Sequence, residues 1–265
     1  MDKFRKIVFF KLKTIFQQDK EKNKIVKNNT YDIKFLCGRS ILCLICIYIF
    51  MTVSISIAQT KEEKIQLEAN YILKCQHDIS NDPAYGAINN VLGLPTWVVP
   101  REMAMAILGL KIAADVLNEN LYREMAQLAA DYLVKVQDDD GAWFNQYHYA
   151  DPGDIDLSNE FALSKSPTQT AEVMIAFYQL GYQASRYNSM KKGAQYLMGC
   201  QNTQDGLICG GKKSDGNYHG WRWTHDNAYT YWALKAAEGW AIMNCDFSFV
   251  SECSDRSQKL LKGIN

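Results

Sequence analysis

The fold is decided by a segment that occurs three times: residues 69–76 read ANYILKCQ, residues 130–137 read ADYLVKVQ and residues 194–201 read AQYLMGCQ. The shared pattern is A-x-Y-[IL]-[LVM]-x-[CV]-Q. Its closing glutamines, Gln76, Gln137 and Gln201, are 61 and 64 residues apart, and a polar stretch with a glycine follows each of them. A recurrence at this period is typical of repeat proteins, in which each unit packs on its neighbours.

Each copy predicts the end of an amphipathic helix. In the second copy the apolar residues Ala130, Leu133 and Val134 recur at helical spacing, and an Asp/Gly turn stops the helix. A side-chain amide in the last helical turn can donate to unpaired carbonyls and accept from N–H groups. We therefore expect each glutamine to tie its helix to the loop that follows.

A second helix is predicted between the copies, at roughly residues 101–117, 167–186 and 224–244. Pro100 and Pro167 stand at two of these starts, where a missing N–H costs nothing. Strand signals are nearly absent from the main body. The sequence therefore predicts an all-α fold of helical hairpins of about 60 residues each, with about three and a half hairpins present.

The first 58 residues differ from the rest in charge. The formal net charge of the whole chain is zero, but the charges are unevenly distributed. Residues 1–40 have eleven basic and four acidic side chains, residues 41–58 have no charged side chain, and residues 59–265 have 18 basic and 25 acidic ones. A basic segment before an apolar run predicts a signal peptide or signal anchor at 41–58, with 1–40 cytoplasmic. The expected domains are therefore 1–40, 41–58 and a helical body at 59–265, which is either anchored to the cell membrane on its outer side or secreted.

The composition also restricts the partners. The acidic body has no long Lys/Arg cluster to replace phosphate counterions, which argues against nucleic acid. Five cysteines fall in the body, at 75, 200, 209, 245 and 253, and no C-x-x-C pair occurs. They allow up to two disulfides in an exported protein, or they are small buried hydrophobic residues.

Three short motifs resemble elements of the α/α-toroid superfamily, in particular of its six-hairpin glycosidase-like branch. They are Leu133 to Trp143 with its Q-x-x-D-G-x-W pattern, Tyr85-Gly86-Ala87-Ile88 followed by Val99-Pro100-Arg101-Glu102, and Thr224-His225-Asp226-Asn227-Ala228-Tyr229. His225 stands where related sequences tend to have Glu. Terpenoid cyclases and prenyltransferases are more distantly similar. The resemblance implies an α/α toroid over about residues 60–263.

A six-hairpin ring needs about 350 residues at this period. Three and a half hairpins form an incomplete ring, so we expect a second polypeptide or self-association to supply the other wall of the cleft.

Two loops rich in carboxylates and aromatic rings, 137–160 and 218–232, hold most of the candidate site. Ring faces stack on sugars, and glycoside hydrolysis uses two carboxyl groups of different proton affinity. The candidate catalytic residues are Asp140 and Asp226, with Glu102 as a substitute. The candidate substrate-binding residues are Trp143, Tyr149, Tyr218, Trp221, Arg222, Trp223, His225 and Asn227.

Structural explanations compete for the same residues. Asp138–Asp140 can form a turn, Thr224 can cap a helix, and Tyr229 and Trp232 can belong to the core. Trp221 and Trp223 are expected to be exposed, because no apolar periodicity runs through them. No cofactor is expected, although Asp151, Asp154 and Asp156 have the spacing of calcium ligands without the closing Glu of an EF-hand.

The sequence therefore favours an exported carbohydrate-active protein, similar to a glycoside hydrolase or polysaccharide lyase, with a saccharide ligand. The alternatives are a toroid fragment that binds saccharide or protein without catalysis, and a protein similar to terpenoid cyclases. Fold alone does not choose among these chemistries.

Overall fold

The computed structural model of the chain describes residues 60–89, 97–148, 160–213 and 215–264. These residues belong to one compact unit, Thr60–Asn265. Within them lie eight α-helices and one two-stranded antiparallel sheet. The elements are α1 (Lys61–Lys74), β1 (Trp97–Val98), α2 (Pro100–Leu117), α3 (Asn120–Lys135), β2 (Tyr147–His148), α4 (Glu160–Leu163), α5 (Pro167–Leu180), α6 (Ala184–Gly199), α7 (Thr224–Met243) and α8 (Phe247–Ile264).

The long helices form two layers. The inner layer contains α2, α5 and α7, with α5 packed between the other two. The outer layer contains α1, α3, α6 and α8, each packed on an inner helix. In α5 every residue from Pro167 to Phe177 is buried, as its central position requires. The fold is thus an all-α arc of an α/α toroid, with three and a half hairpins, as the repeat predicted.

The helix boundaries follow local backbone chemistry. Pro100 and Pro167 occupy the first helical positions of α2 and α5, and the Ser166 hydroxyl caps α5 by accepting from the Gln169 N–H. The predicted helix 167–186 is six residues too long. It ends at Leu180 because Gly181 has a φ of 97°, which a right-handed helix cannot continue.

The three repeat glutamines make the same pair of hydrogen bonds. Gln76 Nε2 donates to the carbonyls of Gly86 and Met125, at 3.3 and 2.9 Å. Gln137 Nε2 donates to Gly141 and Ser189, at 2.7 and 3.0 Å. Gln201 Nε2 donates to Gly206 and Arg256, at 2.7 and 3.0 Å. The first bond confirms the predicted tie to the loop, and the second joins each outer helix to the next outer helix.

The loop glycine in each repeat permits this contact. Gly141 has a φ of 91°, and a Cβ there would lie 2.1 Å from the Lys192 carbonyl of α6. Gly86 and Gly206 face Leu128 of α3 and Lys259 of α8 in the same way. Only glycine allows both the positive φ and the close approach to the neighbouring backbone.

The connections put all starts of the inner helices at one end of the arc. Short turns lead from the inner helices to the outer ones, for example Asn118 and Glu119 between α2 and α3. Long loops return from the outer helices to Pro100, Pro167 and Thr224. The N-termini of α2, α5 and α7 are therefore neighbours.

Among the residues that the structure describes, no helix has both the length and the apolar character needed to cross a bilayer. The predicted segments 1–40 and 41–58 lie outside these residues, so the signal or anchor remains a prediction.

Replacing Gln137 by Ala leaves two carbonyls, of Gly141 and Ser189, without their shared donor. We expect a loss of about 1 to 3 kcal/mol in the free energy of unfolding, because one hydrogen bond to the loop and one to the next outer helix are removed. Urea denaturation followed by far-ultraviolet circular dichroism measures it. The control is Gln195→Ala, an exposed position on α6, where the change should stay below about 0.5 kcal/mol. Equal losses in both variants would contradict the role given to Gln137.

Candidate functional site

A cavity of about 500 Å³ opens where the three inner helices begin. The second and third residues of each inner helix line it. They are Arg101 and Glu102 on α2, Thr168 and Gln169 on α5, and His225 and Asp226 on α7. Because the repeat sets the helices in register, one pair of side chains from each hairpin reaches the same space.

The helix starts themselves make the cavity suitable for polar and anionic groups. The N-caps of α2 and α7 are Val99 and Trp223, and neither provides a side-chain hydrogen bond to the first turn. The prediction that Thr224 caps α7 is wrong, since Thr224 is already the first helical residue. The unpaired N–H groups and the positive ends of the helix dipoles favour oxygen acceptors and carboxylates nearby.

Asp226 is the buried carboxylate of the cavity, with 4% of its surface exposed. The Thr168 hydroxyl of α5 donates to its Oδ1. The same oxygen lies 3.0 Å from Nε2 of His225. Asp226 is also the third residue of α7, where the helix dipole favours negative charge. The surroundings thus hold the carboxylate in a fixed orientation beside the cavity.

Glu102 is the second carboxyl group of the cavity, and it retains contact with solvent. Partial burial raises the pKa of Glu102, and the neighbouring Arg101 works in the opposite direction. A carboxyl group with a raised pKa keeps its proton to higher pH and is suited to donating it.

Glu172 is a third carboxyl group, which the sequence analysis missed. It lies one turn further along α5, and its side chain is 1% exposed. Arg101 Nε lies 3.1 Å from its Oε2, yet neither carboxylate oxygen has a hydrogen bond. Burial raises the pKa of Glu172, while Arg101 and His225 lower it and Asp226 raises it. A buried acid therefore lies one turn beyond the cavity lining, in contact with Arg101.

Four stacked rings form one wall of the cavity. His219, Trp221, Trp223 and His225 alternate along the segment that leads into α7, and successive ring centroids are 3.9, 5.8 and 5.2 Å apart. Trp221 and Trp223 are 45% and 52% exposed, which confirms the expectation for these two residues. Gly210 lies against this column, because a Cβ there would meet Trp221 Nε1 at 1.8 Å. The wall combines flat apolar rings with polar ring edges.

Asp140 lies outside the cavity. Its Oδ1 accepts from the Ala142 N–H, and its Oδ2 accepts from Lys165 Nζ at 2.8 Å. Asp138 also accepts from Lys165, and its carbonyl accepts from the Gly141 N–H. The turn explanation of this acidic segment is thus confirmed, and its acids hold Lys165 at the edge of the cavity.

The other predicted binding residues have varied positions. Trp143 is fully buried, with its Nε1 donating to the Leu133 carbonyl at 2.7 Å and its ring edge-to-face with Phe177. Asn227 is buried and occupied by protein contacts, because it accepts from the Ile208 N–H and donates to the Trp223 carbonyl. Neither residue lines the cavity.

Tyr218 and Arg222 are exposed beside the cavity and do not line it. Arg222 lies 3.3 Å from Asp205 of the preceding turn. Of the rings with a competing core explanation, Trp232 is 47% exposed and Tyr229 packs partly buried against the core.

The predicted calcium ligands Asp151, Asp154 and Asp156 and the binding residue Tyr149 lie outside the described residues. Within the described ranges, no group of three or more His, Cys, Asp or Glu side chains is placed to hold a metal ion.

The residues that sequence reasoning missed are Lys165, Thr168, Gln169 and Glu172. A signal existed for Glu172: it is the only charged residue of α5, in a helix whose other residues are mostly apolar. A lone charge in a buried helix requires a partner or a function. Lys165, Thr168 and Gln169 carry no such signal, since polar residues at a helix start are common.

The arrangement of helices matches solved structures. The chain is similar to a D-mannose isomerase, with a TM-score of 0.53 and 15% identity over 78% of this chain and 52% of that one. It is similar to a possible member of the GH105 family from Salmonella enterica subsp. enterica serovar Paratyphi A (TM-score 0.56, 15% identity, 86% and 65% covered). It is also similar to an unsaturated glucuronyl hydrolase from Bacillus sp. GL1 (TM-score 0.55, 13% identity, 75% and 54% covered).

These similarities show the fold, an α/α toroid, which the sequence resemblance also implied. The chain spans between half and two-thirds of the length of the structures that it matches. No protein-family model matches the sequence, and no curated protein matches it.

Glu172 makes stability depend on pH. Because its pKa is raised in the folded protein, the folded state holds a proton that the unfolded state has lost, and stability falls as pH rises above the ordinary Glu value. Glu172→Gln removes this penalty. We therefore expect the difference in the free energy of unfolding, variant minus parent, to be larger at about pH 8 than at about pH 5. Urea denaturation at both values measures it, with the exposed Glu62→Gln as control; a pH-independent difference would contradict the assignment.

Proposed function

We propose that the protein is a carbohydrate-active toroid that cleaves glycosidic bonds, as a glycoside hydrolase or a polysaccharide lyase does. One observation carries the proposal: α2 and α7 each bring a carboxyl group to a single cavity whose wall is a column of exposed aromatic rings. Two carboxyl groups in different surroundings, beside exposed aromatic rings that a sugar can contact, suit glycosidic bond cleavage.

The surroundings divide the roles between the two groups. Glu102 is the general acid, because partial desolvation raises its pKa and its side chain lines the cavity in contact with solvent. Asp226 is the carboxylate that activates water or stabilises the cationic sugar, because Thr168 and His225 hold its side chain in place at the start of α7. Asp140, which lies outside the cavity, is not part of this pair.

The remaining lining residues can position the sugar. Trp221 and Trp223 offer exposed ring surface, and Arg101 has an exposed guanidinium beside Glu102. The Gln169 side chain is already committed, since its Nε2 donates to the Trp143 and Phe144 carbonyls at 3.3 and 2.8 Å. The Gln169 amide therefore braces the loop behind the cavity, and its side-chain oxygen is the atom available to a ligand.

The solved structures add support of a coarser kind. An isomerase of mannose and a glucuronyl hydrolase are both named for work on sugars. Their sequence identity to this chain is low, so they support a saccharide ligand and leave the reaction to be tested.

A second candidate function is saccharide binding without cleavage. The observation in its favour is the aromatic wall, because exposed rings alone can hold a sugar. A binding site needs the ring column, whereas catalysis also needs the two carboxyl groups in working geometry.

Asp226→Asn and Glu102→Gln are expected to lower the rate of bond cleavage by about 10²- to 10⁴-fold, since each removes one acid/base group. The measurement is release of reducing ends from a panel of neutral and acidic oligosaccharides, with ultraviolet absorbance to detect unsaturated products. The matched control is Asp255→Asn, an exposed position on the outer helix α8, which should leave the rate unchanged.

The outcomes separate the two functions. Full activity in both Asp226→Asn and Glu102→Gln would overturn the catalytic assignment. Binding of a saccharide without turnover by the parent protein, lost in Trp221→Ala and Trp223→Ala, would establish the binding function instead.

Export is part of the same proposal. The apolar segment 41–58 has a basic flank on its N-terminal side, which supports a cytoplasmic start and a helical body outside the cell, either anchored or released.

The topology test uses the full chain with an epitope at its N-terminus. Protease added to intact cells should remove the body and spare the epitope if 41–58 anchors the chain, and the body should appear in the medium if the segment is cleaved. A body that stays protected in intact cells would contradict export.

A further inference from the structure

Two cysteines of the third repeat lie side by side. Cys200 is buried at the C-terminal end of α6, and Cys209 is half-buried in the loop that returns to the inner layer. The two thiols lie close enough to shift each other's pKa. Neither residue lines the cavity, so the proposed function leaves this pair without a role.

The backbone holds the two cysteines in register. The Cys209 N–H donates to the Cys200 carbonyl at 3.0 Å, and Gln201 and Ile208 form the adjacent antiparallel bridge. Cys200 and Cys209 are therefore directly opposite residues, whose Cα atoms in such a pair are about 5.5 Å apart. That separation lies within the range of disulfide-bonded cysteines. The mutual effect of the two thiols on their pKa values agrees with this proximity.

The two thiols differ in reactivity. The hydrogen bond from Cys200 lowers the pKa of Cys209 to about 7, with help from the Gly211 N–H and the positive charge of Arg222. The pKa of Cys200 is raised well above its ordinary value, first by its hydrogen bond to Cys209 and then by burial. One thiol is thus an accessible nucleophile at neutral pH, and the other is a protected partner.

We propose that Cys200 and Cys209 form a redox-active pair, which a small-molecule or protein disulfide oxidises to a disulfide bond. The Cys209 thiolate attacks one sulfur of the oxidant, which forms a mixed disulfide and releases one thiol. The Cys200 thiol then gives up its proton and attacks the Cys209 sulfur, and the second half of the oxidant leaves as a thiol. Two cysteine thiols are oxidised and one external disulfide is reduced to two thiols.

A disulfide between Cys200 and Cys209 would close the loop that follows Gln201. The segment between the two cysteines contains Gln201, which binds α8, and Gly206, whose backbone packs on Lys259. Immediately after Cys209 comes Gly210, in close contact with Trp221. Oxidation therefore stabilises the junction of α6 and α8 and the support of the aromatic wall together.

The chain offers a direct assay. Trypsin cleaves after Lys192 and Lys212, which leaves Cys200 and Cys209 as the only cysteines of peptide 193–212. The full chain is equilibrated with oxidised and reduced glutathione, alkylated without reduction and digested. We expect this peptide to lack both alkyl groups and the mass of two hydrogen atoms. Oxidation should raise the melting temperature by about 5 to 10 °C, as a ten-residue closed loop predicts.

Two variants serve as controls. Cys209→Ser, at the half-buried position, should fold and show no shift in melting temperature on oxidation. Cys245→Ser, at the exposed cysteine between α7 and α8, should behave like the parent chain. Alkylation of both Cys200 and Cys209 in oxidising buffer would overturn the proposal, and so would a disulfide from Cys209 to a different cysteine. This readout does not depend on saccharide cleavage.

Discussion

The structure depends on one side-chain amide, repeated three times. Each glutamine at the end of an outer helix donates to its own loop and to the backbone of the next outer helix. The acceptors Met125, Ser189 and Arg256 are carbonyls, so the bond is indifferent to the neighbouring side chain and can recur while the rest of the repeat varies. Because the same bond recurs at each junction, the amide helps to set the rotation from one hairpin to the next.

That rotation explains the position of the site. With the outer helices held at a constant step, the inner helices begin at one end and in register, so Glu102, Gln169 and Asp226 occupy equivalent places in successive hairpins. Equivalent places need not carry equivalent chemistry. Glu102 is an acid near solvent, Gln169 braces a loop, and Asp226 is a buried carboxylate bound by Thr168.

The sequence predicted the architecture better than the site. The glutamine pattern and the prolines at helix starts are local features of the sequence. Local hydrogen bonds explain where the helices begin and end. Asp226 and Glu102 were predicted from their places at helix starts, and both line the cavity, while their catalytic role stays a prediction. Asp140 and Trp143 were predicted from their residue types beside an Asp-Gly turn. In the structure the Asp140 carboxylate accepts a hydrogen bond within that turn, and the Trp143 indole is buried in the core. Glu172 reaches Arg101 across two helices, a distance that no local pattern reveals.

The column of four rings has a further consequence. Each inner ring of the column has its faces against neighbouring rings, so mostly ring edges are exposed to the cavity. The indole nitrogen of Trp221 lies close to Gly210. A ligand along this wall would meet ring edges at unequal spacings, since successive centroids are 3.9, 5.8 and 5.2 Å apart. Because the spacing does not repeat, a ligand displaced by one ring would not find the same contacts.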